Sequence, residues 1–261
     1  MTSRFTIAGN DSSGLPVAGD VSWTWRQVWR DLLFLHWRVA AVDLRPHIPP
    51  ALTIDALAGE AWVSIVLFRL QVAPIGLPSV PGFSSLVEVN LRTYVTLNDQ
   101  PGIYFLSIHA DNLAALSLAR LLTPLPYAWA NIRYRPGRRD CACKLRRLTA
   151  PAEELSVQAE FAAAAPASGD DPLESWLLER YRAFAPPRHS PALLQSAVVA
   201  HEPWKVSPAR VELQLNSLGG RFGLALDRPP DAAHFCQEMA ARFSRFEPCA
   251  APPAARDSPY C

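Results

Sequence analysis

The feature that most limits what this chain can fold into is a run of short alternating segments, cut by turn signals, between residues 52 and 109. Residues 52–54 and 61–72 read as strands joined across Ala58-Gly59-Glu60, which predicts a hairpin. A proline-bearing loop at 74–81 precedes a strand at 85–97, and the turn Asn98-Asp99-Gln100-Pro101-Gly102 leads into 103–109, a second hairpin. Before them, the aromatics of 29–37 favour a strand, and 43–50 reads as a helical turn stopped by prolines. After them, Asp111 is the expected N-cap of a helix over 112–122, which must end before Pro124. Further strands are expected at 128–135, 142–148 and 155–161, then a short helix at 172–180 and strands at 193–201 and 210–215. Residues 231–245 read equally as strand or helix. No repeat, heptad or Gly/Ser linker divides the chain, so one α+β domain over 21–246, built on a large antiparallel sheet that is curled or closed, is expected between poorly ordered tails at 1–20 and 247–261.

At 261 residues and 49% hydrophobic, the chain can fill a single core. It contains no uncharged apolar run of 18 residues, and its N-terminus lacks a basic-then-apolar leader, so a cytoplasmic protein without a membrane partner is expected. The 25 basic and 24 acidic side chains nearly cancel and create no global field for nucleic acid. Arg133, Arg135, Arg138, Arg139, Lys144, Arg146 and Arg147 do cluster around one predicted hairpin, but only Tyr134 interleaves them, which is the pattern of a solvated hairpin. Five cysteines, an odd number, predict reduced thiols. Cys141 and Cys143 alternate onto one face of a strand with no second Cys/His pair nearby, so no metal is predicted. The chain has 23 arginines but only two lysines, Lys144 and Lys205, which restricts any amine chemistry.

In the strand Val87-Glu88-Val89-Asn90-Leu91-Arg92-Thr93-Tyr94-Val95, Glu88, Asn90, Arg92 and Tyr94 share one face, opposite Val87, Val89, Leu91 and Val95. The polar face either meets water or lines the mouth of a barrel. Glu88 and Arg92 lie about 13 Å apart along an extended strand, which suits them to flank a ligand. Arg92 can take a carboxylate bidentately, and Glu88 can exchange a proton if burial raises its pKa. Arg120 is the only charged side chain in 113–122; it either reaches the surface past its apolar stem, pairs with Glu88, or anchors an anion. His109, at a predicted strand end, is a base or a hydrogen-bonded structural residue, and His36 and His201 read as structural.

Residues 29–37 (WRDLLFLHW), 52–68 (LTIDALAGEAWVSIVLF), 88–95, 119–130 and His201-Glu202-Pro203-Trp204, in that order, resemble the uncharacterised YqjF-like family over about residues 25–245. That family belongs to the acetoacetate decarboxylase-like superfamily, and the resemblance implies a cone-shaped antiparallel barrel with a few flanking helices around a small-molecule cavity. True acetoacetate decarboxylases carry Gly-Arg-Glu and then Gly-Tyr-Pro-Lys-Lys-Leu where this chain carries 119–130. Aligned on the shared arginine and proline, Arg120 and Pro126 are retained, while Tyr127 and Ala128 stand where the two catalytic lysines would be. The first of those lysines forms the Schiff base, and neither a phenol nor a methyl group can form an iminium.

The resemblance therefore implies a pocket with Glu88, Tyr127 and Arg120 as catalytic residues and Asn90, Arg92, Tyr94 and His109 as substrate-binding residues. Glu88 would act as base or orienter, Tyr127 as proton donor, and Arg92 or Arg120 as anion holder. The expected ligand is an organic acid or carbonyl compound, with no cofactor, and self-association stays open. A cofactor-free acid/base enzyme of the lyase, isomerase, hydratase or cyclase type is the first expectation. The alternatives are a non-catalytic binding protein with the same cavity, a Schiff-base decarboxylase using Lys144 or Lys205, and an interaction protein with an Arg/Trp-rich surface. Glu88 and Tyr127 within about 7 Å across a cavity would favour catalysis.

Overall fold

In the computed structural model, which describes residues 21–149, 152–162, 171–186 and 193–249, the predicted hairpin of 85–97 with 103–109 forms part of the wall of a closed barrel, whereas 53–54 pairs with 95–96 instead of 61–72, whose hairpin partner across Ala58-Gly59 is 56–57. The first strands are β1 (Trp23–Val39), β2 (Thr53–Ile54), β3 (Ala56–Leu57), β4 (Glu60–Pro74), β5 (Ser85–Leu97) and β6 (Gln100–Ala110). They are followed by β7 (Tyr127–Trp129), β8 (Asn131–Pro136), β9 (Asp140–Arg147), β10 (Glu153–Phe161), β11 (Arg182–Ala185), β12 (Gln195–His201), β13 (Ser207–Asn216), β14 (Ala232–Ser244) and β15 (Glu247–Pro248). The helices are α1 (Ala41–Leu44), α2 (Leu113–Leu122) and α3 (Pro172–Leu178). Around the barrel the order is β12-β11-β6-β5-β4-β1-β14, and Val199↔Phe243 to His201↔Ala241 close the ring. Of these neighbours only β6 and β11 run parallel. The segment 231–245, ambiguous in sequence, is the strand that completes closure. No helix among the described residues is long and apolar enough to cross a membrane.

From β14 the sheet branches into β13, β10, β9 and β8, an antiparallel leaf that covers the outside of the barrel wall. The wall is thus buried on both sides. Leu33 and Leu35 of β1, Val63 and Ile65 of β4, and Val89 and Leu91 of β5 face outward and pack with Leu145, Leu155 and Val157 of the leaf. Cys141 and Cys143 share that layer, 3% and 1% exposed, and burial pushes their thiols up to about 11 and about 12. The basic side chains Arg133 and Lys144 sit opposite one another on the exposed face of the leaf. Inside the barrel, Leu32, Phe34, Trp62, Val66, Phe68 and Leu70 form a second core with Trp204.

A bulge at Asp31 lets β1 serve both cores. Asp31 adopts φ 54°, and the pairing register shifts between Arg30 and Leu33. Before the bulge Trp25, Gln27 and Trp29 face inward; after it Leu32 and Phe34 do. An added residue changes strand parity in this way. Arg69 Nε donates to Asp31 Oδ2 at 2.6 Å and the Tyr134 hydroxyl to the Asp31 carbonyl at 2.5 Å, which hold the uncommon backbone.

Two further local expectations are corrected. The helix cap is Asn112, whose Oδ1 accepts from the amides of Ala114 and Ala115 at 3.1 Å, because the extended residue before the helix lies one position later than predicted. Asp111 instead accepts from the Val87 amide at 2.8 Å and ties the helix start to β5. The expected C-terminal tail begins too early, since β15 pairs with β12 and the Cys249 amide donates to the Leu194 carbonyl at 2.8 Å. The predicted tail at 1–20 and the rest of the one predicted at 247–261, from residue 250 on, lie outside the described residues.

Candidate active site

A cavity of about 470 Å³ occupies the barrel interior. The odd residues of β5 are taken up by the layer under the leaf, so strand alternation sends Glu88, Asn90 and Arg92 into this cavity. Tyr127 arrives from another direction. Pro124 and Pro126 prevent α2 from continuing, the chain turns, and β7 joins β6 in parallel with Tyr127 beside Ile108. That places the phenol over Glu88: Tyr127 donates its hydroxyl hydrogen to Glu88 Oε2 at 3.3 Å, while Asn90 Nδ2 donates to Glu88 Oε1 at 3.0 Å.

Glu88 is 4% exposed, and burial pushes its pKa up to about 7 against the opposing pull of Asn90, Tyr127 and Arg92. Burial and the adjacent Glu88 hold the Tyr127 hydroxyl well above the ordinary phenol range, so it stays protonated. Burial lowers the pKa of Arg92, and its Nε has no hydrogen-bond partner. No ion pair to Arg92 occurs among the described residues. Tyr94 and Glu88 oppose that lowering; a guanidinium withdrawn from water without an ion pair is costly.

Other lining groups complete the site. Arg180, just past α3, donates to Asp55 Oδ2 at 2.5 Å and to the Trp176 carbonyl at 2.8 Å, and its Nη2 is buried without a partner. Its guanidinium lies 4.5 Å from the Trp176 ring centre and 5.2 Å from that of Tyr94. Beside this segment Trp29 and Trp204 stack 5.8 Å apart at 13°, with His201 4.9 Å from Trp204. His201 Nδ1 lies 2.7 Å from the Glu202 carbonyl, which can only accept, so that nitrogen carries the hydrogen. Burial also lowers the His201 pKa and favours the neutral ring.

Of the residues singled out in the sequence, Glu88, Asn90, Arg92 and Tyr127 come together in the cavity. Tyr94 lies one step deeper, at the barrel floor, with its hydroxyl 2.6 Å from Ser64 Oγ and 3.3 Å from His36 Nδ1. His109 does not reach the site. The β5–β6 register shifts between Leu91 and Arg92, so Ile103, Phe105 and Ile108 face the cavity while His109 faces the leaf, its Nε2 2.9 Å from Glu153 Oε2. Arg120 does not line the cavity either. It lies on the exposed side of α2, where water solvates its charge, and its Nε and Nη2 donate to the Tyr127 carbonyl at 3.0 and 2.8 Å. Those bonds tie α2 to the start of β7.

Arg180, Trp29, Trp204 and His201 were not identified as site residues from sequence. The conjunction His201-Glu202-Pro203-Trp204 was a usable signal for two of them; Arg180 carried none, because its partner Asp55 is 125 residues away. Lys144 and Lys205 are both exposed, and neither lines the cavity. No cluster of three or more His, Cys, Asp or Glu side chains fit to hold a metal occurs among the described residues.

A closed, mostly antiparallel barrel around such a cavity is the acetoacetate decarboxylase-like fold. The chain is similar to an acetoacetate decarboxylase-like enzyme from Sphingomonas wittichii RW1, with TM-score 0.62 and 15% identity over 89% of this chain and 95% of that one. It is also similar to the acetoacetate decarboxylase of Legionella pneumophila, with TM-score 0.60 and 14% identity over 95% and 98%. A third similar structure is the enduracididine biosynthesis enzyme MppR complexed with pyruvate, with TM-score 0.59 and 12% identity over 88% and 92%. Within this fold the chain belongs to the DUF2071 family, described as an uncharacterized conserved protein, whose profile matches residues 26–240. The uncharacterized protein YqjF of Bacillus subtilis (strain 168) is 33% identical over 226 residues, 86% of this chain and 92% of that protein.

Proposed function

We propose that this protein is a cofactor-free enzyme that moves a proton on a small organic acid bearing a carbonyl or hydroxyl group, without a covalent amine intermediate. The observation that carries this reading is the Glu88–Tyr127 pair, 3.3 Å apart inside the cavity, well within the separation expected of cooperating groups. The substrate carboxylate pairs with the Arg92 guanidinium. Glu88, half ionised near pH 7, accepts a proton from the substrate, and the protonated Tyr127 phenol hydrogen-bonds to the oxygen on which negative charge develops. Asn90 orients the Glu88 carboxylate through its second oxygen. Two facts support a non-covalent route: a tyrosine occupies the position where the resemblance puts the Schiff-base lysine, and both lysines of the chain lie outside the cavity. The MppR structure with pyruvate lends support to an oxo acid as the ligand class. We assign the reaction to the cytoplasm because Cys141, Cys143 and Cys236 are buried and unpaired.

The test is proton exchange. Pyruvate and 2-oxobutyrate, incubated with the protein in heavy water, are expected to lose the NMR signals of the hydrogens beside the carbonyl. Glu88→Gln should slow that exchange by about 10²–10⁴-fold, the usual contribution of a general base. Borohydride added during turnover should leave no adduct on Lys144 or Lys205, and an adduct there would overturn the non-covalent mechanism. Binding of both acids with no exchange would favour the non-catalytic ligand-binding protein instead.

A further inference from the structure

The cavity is larger, and more aromatic, than a short oxo acid requires. Even if each heavy atom takes the ~30 Å³ of a water molecule in the liquid, a three-carbon oxo acid of six heavy atoms fills about 180 Å³. That is less than half of the cavity of about 470 Å³. An aryl propionate of eleven heavy atoms fills about 330 Å³ on the same scale. The surplus space is bounded by Trp29, Phe68, Trp204 and Phe243, with Trp29 and Phe68 tilted at 59° and Trp29 and Phe243 at 69°, ring centres about 6 Å apart. Those edge-and-face arrangements leave π faces and edges of both polarities for another ring. Leu121 and Leu122, largely exposed, continue the apolar surface at the mouth.

The charges facing the cavity limit the ligand further. Arg180 is matched by Asp55, burial favours the neutral form of His201, Glu88 titrates, and Arg245 is exposed at the rim. Arg92, which interacts with Tyr94 and Glu88 but has no ion pair among the described residues and a buried Nε without a hydrogen-bond partner, has its guanidinium 5.7 Å from the Phe34 ring centre. One carboxylate satisfies it; a second would meet Glu88 or the aromatic wall. Asn90 Oδ1, buried without a donor, accepts from a hydroxyl or enol group placed between Arg92 and Glu88.

Resting on the acid/base reading, we infer that the substrate is an aryl-bearing monocarboxylic acid, its carboxylate on Arg92 and its ring against the Trp29–Trp204–His201 wall. Isothermal titration of the full chain with propionate and with 3-phenylpropionate at pH 7 tests this. The aryl acid is expected to bind at least tenfold more tightly, and Arg92→Gln to weaken both acids at least tenfold. Trp29→Ala should weaken only 3-phenylpropionate, about fivefold or more, and leave propionate within twofold. The comparison of the two acids on the unaltered protein stands even if a variant does not fold. Equal affinity for the two acids, or no binding of either, overturns the inference. Aryl preference without Glu88-dependent proton exchange leaves this inference intact and removes the catalytic reading, so the two fail separately.

Discussion

Glu88→Gln also has a consequence for stability that can be worked from the site. The carboxyl is 4% exposed and its pKa rises from 4.5 in the open chain to about 7 in the fold. At ~1.36 kcal/mol for each pKa unit, the folded protein favours the protonated form by about 3 kcal/mol. Below pH 4.5 both states hold the proton and the group contributes no slope. Between 4.5 and about 7 the folded state keeps a proton that the unfolded chain releases, so stability falls as pH rises; above about 7 the whole ~3 kcal/mol is lost. Glutamine keeps the shape and does not titrate. The variant should therefore gain stability relative to the unaltered protein as pH rises, by about 3 kcal/mol between pH 4.5 and 8. Urea unfolding of both proteins at fixed ionic strength, followed by tryptophan fluorescence at half-unit pH steps, measures the difference curve. A change under about 1 kcal/mol over that range, or one of opposite sign, refutes the buried-carboxyl account.

Further outcomes follow from neighbouring contacts. Tyr127→Phe and Asn90→Leu each remove a hydrogen bond that lowers the Glu88 pKa, so both should move the midpoint of that difference curve upward, Asn90→Leu by more. Arg120→Met removes two exposed bonds to the Tyr127 carbonyl and should cost about 1 kcal/mol in thermal unfolding, with carboxylate affinity unchanged within twofold. Gly102→Ala would bring a Cβ to 2.6 Å from Phe184 Cε2 and 2.7 Å from the Arg182 carbonyl, at the parallel β6–β11 seam. It should destabilise the protein by about 1–3 kcal/mol and speed amide exchange on β11.

The stripe Glu88-Asn90-Arg92 was visible in the sequence because a strand places alternate residues on one face, a property of consecutive residues alone. Local signals also marked the hairpin of β5 with β6 and the prolines that stop α2, but not the pairing of β2, which lies on β5 and not on β4. Strand alternation could not say which face of β5 is the inside. An apolar stripe opposite a polar one describes a sheet half in water equally well, and here the leaf covers the apolar side so that the polar side becomes the cavity. Parity fails wherever a bulge intervenes: Asp31 reverses the faces of β1, and the β5–β6 register shift turns His109 away from the site. Arg120 and Arg180 show the same divide. Both are single cations near the ends of apolar helices; α2 leaves one in water, while Asp55, Trp176 and Tyr94 enclose the other at the cavity wall. Apart from β14, the sequence by itself determined most of the strands, their alternation and the side chains available for acid/base work. Tertiary structure alone decided which of them meet, because burial, charge pairing and the pKa of Glu88 depend on neighbours distant in the chain.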